Sequence, residues 1–173
     1  MAEILNNETS FDTDSHLDDI RVLQIILNDV SLGLEKFFNE HFKAYVTVEN
    51  SAASEKFISI STDGLSEIFK LLLNSIFGSS VLHVKLSVTR TDFIIECRWR
   101  SASEDKETLL NIKHLSELSG FRFNSAFDGA NQTVFLYTPI SVNKFLPIYA
   151  KTVNAVYASL YRKIILPGKF ISN

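Results

Sequence analysis

One cysteine, three prolines and six glycines are all that this 173-residue chain has of those types. The single thiol, Cys97, excludes an internal disulfide framework and any multi-thiolate metal site. It falls in the apolar alternation Phe93, Ile95, Cys97, Trp99, which reads as a buried structural thiol. All three prolines (Pro139, Pro147, Pro167) lie in the last 35 residues, and the glycines follow no period, so the chain is neither collagen-like nor low-complexity. No apolar run approaches the ~18 residues of a membrane span. The four histidines (His16, His41, His83, His114) form no ligand pair at helical spacing. No Gly-x-Ser-x-Gly, no phosphate-loop Gly-Lys-Ser/Thr and no closely spaced Cys/His or carboxylate set of metal-binding type occurs. The formal net charge is -3 and the basic residues are scattered, which argues against a nucleic-acid face. The first residues are acidic and polar (Glu3, Glu8, Asp12, Asp14), unlike a secretory leader, so a cytoplasmic protein without membrane insertion is expected.

What is present is apolar mass: hydrophobic residues make up 46%, enough to fill one core. Residues 1–13 lack periodicity and read as a disordered tail. Ser15 with Asp18 signals a helix start, and Ile20, Leu23, Leu27, Val30, Leu34 and Phe37 form one stripe of steps of three and four, predicting a helix to Asn39 or His41. Ala44–Glu49 and Lys56–Ser61 read as strands. Thr62 and Asp63 are placed to cap a second helix with a core face of Leu65, Ile68, Phe69, Leu72 and Ile76, stopped at Gly78. Alternation around residues 83–88 and 93–99 predicts a hairpin. A third helix is expected over Glu107–Ser119, with Leu110, Leu115 and Leu118 inward and Gly120 as a left-handed cap. Phe121–Ala126 and Gln132–Thr138 form the last strand pair around Asp128-Gly129-Ala130-Asn131, with Pro139 closing the sheet. Asn143 to about Ile165 reads as a long aromatic helix. Strand pairs between single helices imply an α/β (α+β) two-layer sandwich: a mixed, largely antiparallel sheet of about six strands, helices on one face, and an extra C-terminal helix.

That order resembles the ATP-binding domain of the histidine-kinase, gyrase, mismatch-repair and chaperone ATPase superfamily. Lys70-Leu71-Leu72-Leu73-Asn74-Ser75-Ile76 is similar to the Asn-Leu-Leu-x-Asn-Ala motif of sensor kinases. The closing helix, Gly120 turn and final strand Thr133–Thr138 into Pro139 also match. The resemblance implies a domain over residues 14–140 and a helical extension over 141–173. It also implies a nucleotide site, and there the residues depart from the family. Asn74 holds the place of the asparagine that faces magnesium, but Lys70 replaces the first motif residue. A protonated lysine is neither a Mg²⁺ ligand nor a general base. The Asp-x-Gly-x-Gly that reads adenine would fall where Trp99 runs into Arg100-Ser101-Ala102-Ser103, and its aspartate and glycines are absent. The glycine-rich phosphate loop is replaced by Ser103-Glu104-Asp105-Lys106-Glu107, whose acids repel a triphosphate. Asn74 is thus a vestigial position, no cofactor or metal is expected, and the nucleotide space is expected to be filled, with Lys70 and Trp99 among the fillers.

Beyond Pro139 the expected C-terminal helix presents Phe145, Tyr149, Val156, Tyr157, Leu160 and Tyr161, a pattern suited to an interface, a second copy included, or to packing on the chain's own sheet. The leading expectation is a non-catalytic member of this fold serving as a protein-interaction or regulatory module in bacterial signalling. Alternatives are an acidic dimeric secretion-type chaperone, a histidine phosphotransfer protein using His16 or His41, and a divergent ATP-binding kinase or anti-sigma-like domain.

Overall fold

The computed structural model describes residues 20–76, 80–143 and 153–165. Strand β1 (Leu23–Ile26) runs directly into helix α1 (Leu27–His41), followed by β2 (Val46–Asn50) and β3 (Phe57–Ile60). Helix α2 (Thr62–Ile76), the β4 (Leu82–Val88) and β5 (Asp92–Arg100) hairpin, helix α3 (Lys106–Leu118) and the β6 (Arg122–Phe127) and β7 (Asn131–Ser141) pair come next. Helix α4 (Val153–Leu160) widens into a π-helical turn over Tyr161–Ile165.

The first predicted helix needs correction. Leu23–Ile26 is a strand, antiparallel to β3 with Leu23 opposite Ile60 and Ile26 opposite Phe57. The apolar steps of three and four run through the junction, but the dense apolar run Leu23-Gln24-Ile25-Ile26 serves a strand equally well, and pairing with β3 decides it. Among the described residues no side chain caps α1; the carbonyls of Lys56 and Ser54 instead accept from the amides of Leu27 (2.9 Å) and Asn28 (3.2 Å). The loop before β3 thereby satisfies donors that a bare helix start would leave orphaned. The proposed start at Ser15 lies outside the described residues.

The seven strands form one mixed sheet ordered β1-β3-β7-β5-β4-β2, with β6 on β7, so β1 raises the expected six. Among the described residues only β2 and β4 pair parallel; the crossover between them carries β3 and α2. Strand β7 passes through Pro139, which sits opposite Asp92, and continues to Ser141 to meet Phe57 of β3. Pro139 therefore does not close the sheet, and its missing amide falls where no ladder bond is required.

One face of the sheet is buried. Leu82, Val84 and Leu86 of β4, Phe93, Ile95 and Cys97 of β5, and Val134 and Leu136 of β7 point to the helices. The predicted face of α2 (Leu65, Ile68, Phe69, Leu72, Ile76) is buried throughout. Phe38 of α1 meets Phe69 of α2 edge-on at 4.9 Å between ring centroids. Thr62 begins α2 rather than capping it; the cap is the hydroxyl of Ser61, which accepts from the Gly64 amide at 3.1 Å. Helix α3 is rotated from the expected face: Leu109, Ile112 and Ser116 are buried, while Leu110 is 65% exposed. Leu118, also expected inward, is exposed. Leu115, the third residue expected inward, is half-buried against the core, while the fully buried positions are 109, 112 and 116.

Candidate functional site

The stretch Lys70–Ile76 lies on α2 at the end that approaches β5. Asn74 is exposed, and it is the neighbouring Ser75 that faces the cleft beside β5. Lys70 is turned away: its ammonium lies 3.7 Å from Glu67, which Lys163 of the π-helical turn also approaches at 3.6 Å. Lys70 thus serves the seam with the C-terminal segment and does not fill the nucleotide space as expected.

Trp99, the other expected filler, is 6% exposed and is the last inward residue of β5, beside the cleft that Ser75 faces. Behind it, Ser75, Ser101, Asp105, Thr108 and Gln132 enclose a chamber of about 40 Å³. Ligand pockets for drug-sized molecules occupy roughly 300–1,000 Å³, so this one holds little more than a water, whose liquid volume is about 30 Å³. On its rim, Ser75, Trp99, Arg100, Ser101, Gly129 and Ala130 line a shallow cleft of about 460 Å³.

The loop from β5 to α3 spans only residues 101–105. The Ser101 amide donates to the Ala130 carbonyl at 2.9 Å, and its hydroxyl donates to the Ser103 carbonyl at 2.6 Å, so the loop is folded on itself. At the start of α3 the Asp105 carboxylate accepts from the Thr108 amide (3.1 Å) and from the Thr108 hydroxyl (2.6 Å). A helix N-terminus attracts anions through free amides and the positive end of its dipole. Here the chain's own carboxylate takes that place, and the Thr108 hydroxyl, then its amide, hold the Asp105 carboxyl below its ordinary range. With Glu104 and Glu107 on either side, no cradle for a triphosphate remains. The residues present do not fit Mg·ATP.

Among the described residues no group of three or more His, Cys, Asp and Glu could hold a metal ion, and no helix is long and apolar enough to cross a membrane. Cys97 is fully buried, and desolvation pushes its thiol well above the ordinary range, an environment for an inert side chain.

Of the C-terminal residues, Phe145 and Tyr149 lie outside the described residues, as does His16. Val156 and Leu160 are each 1% exposed and pack on the helices, chiefly α1, rather than on the sheet. The Tyr157 hydroxyl forms a short hydrogen bond with Nε2 of His41, and Tyr161 stacks beside Tyr157 at 6.4 Å. Asp63 of α2 accepts from Ser159 and, at 3.1 Å, from Arg162. Sequence reasoning missed Gln132 and Ser75. The signal for Gln132 was there: it and Thr138 are the polar members of the inward set Gln132, Val134, Leu136, Thr138.

No family model and no curated protein matches the sequence. Solved structures do. Histidine kinase AdeS of Acinetobacter baumannii superposes with a TM-score of 0.52 at 10% identity, covering 75% of this chain and 74% of that one. The nucleotide-free catalytic domain of histidine kinase ThkA gives 0.51 at 10% identity, covering 69% and 98%. The histidine kinase domain of the E. coli osmosensor EnvZ gives 0.50 at 5% identity, covering 76% and 96%. At such identities the likeness is one of fold. The chain has the fold of histidine-kinase catalytic domains.

Proposed function

We propose that this protein is a non-catalytic relative of the histidine-kinase ATPase domain, working by protein–protein interaction in signalling, in the cytoplasm. The observation that carries this reading is the site itself. The room behind Trp99 is only about 40 Å³ and Asp105 caps the α3 N-terminus, which supports a site without the enclosed volume and the free helix-terminal amides that phosphate chemistry uses. Catalysis by differential stabilisation of a transferring phosphoryl group needs a preorganised positive cradle, and three acids stand in its place. The partner is another protein, a second copy of this chain included. Isothermal titration with Mg·ATP tests the reading: no heat beyond dilution is expected, and micromolar binding would overturn it in favour of a divergent kinase or ATPase.

A further inference from the structure

The C-terminal run is laid along α2 in one direction. Ser159 and, at 3.1 Å, Arg162 donate to Asp63. One turn further along α2 the Lys163 ammonium approaches Glu67 at 3.6 Å. The chain advances from Ser159 to Lys163 as its partners advance from Asp63 to Glu67, so the π-helical turn packs on α2 and runs parallel to it. Ile164 is buried and Ile165 packs against the core, so the contact persists to the end of the turn.

The path ahead is set by α2 itself. Asp63, Glu67, Lys70 and Asn74 stand at i, i+4, i+7 and i+11, one stripe of the helix. The first two hold the C-terminal run, and Asn74 at the far end is exposed. Ser75 beside it opens on the cleft of about 460 Å³ that Arg100 and Ala102 also line. From Glu67 to Ser75 the helix rises about 12 Å. Leu166 to Asn173 follow the turn, and eight extended residues reach about 26 Å, enough to enter the cleft. Pro167 ends the helical run, because it lacks the amide for a helix bond and turns the residue before it to extended backbone.

The chemistry of the segment matches that path. Arg162 and Lys163 meet carboxylates, and Lys169, the one charged residue among 166–173, is again a cation. The loop that walls the cleft at Ser101 and Ala102 goes on to Glu104 and Asp105. Arg100 on the rim offers a guanidinium to an aromatic face, and Phe170 follows Lys169.

We propose that residues 166–173 of this chain dock along the stripe from Asp63 to Asn74 and enter the cleft beside Trp99. Lys169 then meets the acids of the β5–α3 loop and Phe170 meets Arg100. The Asn74 carboxamide, which both donates and accepts, grips the passing backbone. The cleft is occupied by the chain's own segment, and a partner that uses it must displace that segment. This goes beyond the non-catalytic reading and does not depend on it.

Paired cysteines in the full chain test the docking. A disulfide needs Cα atoms about 4.4–6.8 Å apart, so it reports proximity, and the native Cys97 is buried and takes no part. Ala102→Cys with Ile171→Cys should close an intramolecular disulfide under mild oxidation. Arg90→Cys with Ile171→Cys places the first cysteine in the exposed β4–β5 turn, at the other end of β5, and should close about tenfold more slowly. Adding Lys169→Glu to the first pair should slow it about threefold, the worth of an exposed ion pair, with far-UV circular dichroism unchanged. Equal rates for the two pairs, no disulfide in either, or a rate indifferent to Lys169→Glu overturn the proposal. A cross-link found only between two chains assigns the cleft to a second copy's segment and overturns it as well. Mg·ATP titration of the same proteins is read separately: heat would sink the non-catalytic reading and leave the cross-link standing.

Discussion

Gly33 of α1 lies directly against Val156 of α4: a Cβ placed on Gly33 would stand 2.8 Å from both Cβ and Cγ1 of Val156 and 3.3 Å from the Val153 carbonyl oxygen. The glycine is what lets the C-terminal helix approach α1 so closely. In a helix interior alanine is favoured over glycine by about 1 kcal/mol, but overpacking against a β-branched side chain costs typically 1–3 kcal/mol. Gly33→Ala should therefore destabilise the protein by about 1 kcal/mol and expose α4 to hydrogen exchange ahead of the sheet. Urea unfolding and native-state exchange would check this; a stabilised variant would show that α4 is not seated on α1.

Gly120 and Gly129 both hold left-handed backbone, at φ of +90° and +88°, but differ in their surroundings. A Cβ on Gly120 would come within 2.5 Å of the Ser59 carbonyl oxygen, while one on Gly129 meets nothing within 4 Å. The left-handed conformation alone costs an L-residue about 1–2 kcal/mol. Gly129→Ala should lose about that much, and Gly120→Ala about 3 kcal/mol because the clash adds to the strain. Equal losses in paired denaturant titrations would contradict the packing of the α3–β6 turn on β3.

Asp105→Ala should cost about 1 kcal/mol, the usual worth of an N-cap, and Asp105→Ser most of an order less. The dependence on pH has a definite sign. The folded-state pKa of Asp105 is lowered from its ordinary 3.8, first by the Thr108 hydroxyl, so its contribution is full above that value. It is lost as pH falls below about 3.8 towards the depressed folded value. Wild type and Asp105→Ala should consequently converge in stability in acid and diverge above pH 4–5; thermal melts across that range measure it.

The Cys97 thiol should not react with a thiol reagent at pH 8 while the chain is folded, since burial holds it protonated and out of reach. Reaction should rise with the urea unfolding curve. Labelling at native rates typical of a free thiol would place β5 on the surface.

Much of the layer order was legible along the chain. Strict alternation over 93–99 and the stripe Leu65, Ile68, Phe69, Leu72, Ile76 have one reading each, because strand and helix periods differ and the buried faces they imply are self-consistent. Leu23–Ile26 was ambiguous for the same reason: four mostly apolar residues satisfy both periods, and only the partner strand β3 chose between them. The facing of α3 was equally undetermined, since Leu109–Ile112 and Leu110–Leu118 are rival stripes on one short helix.

The proposed loss of phosphate handling rests on residue types, on the absence of glycine over 100–107 and on the acids that stand there. A glycine cradle cannot be supplied by other residues at a distance, so that absence speaks without a structure. What took the vacated place could not be read the same way. The meeting of Ser75, Trp99, Thr108 and Gln132 around one small chamber, and the approach of Lys163 to the Glu67 that Lys70 also faces, depend on residues far apart in the chain. Sequence by itself determined the fold's order and the residue types along the β5–α3 loop, because those are local properties of pattern and composition. Only the tertiary structure decided the chemistry of the remaining chamber, because hydrogen-bond satisfaction belongs to the assembled set of neighbours and not to any residue alone.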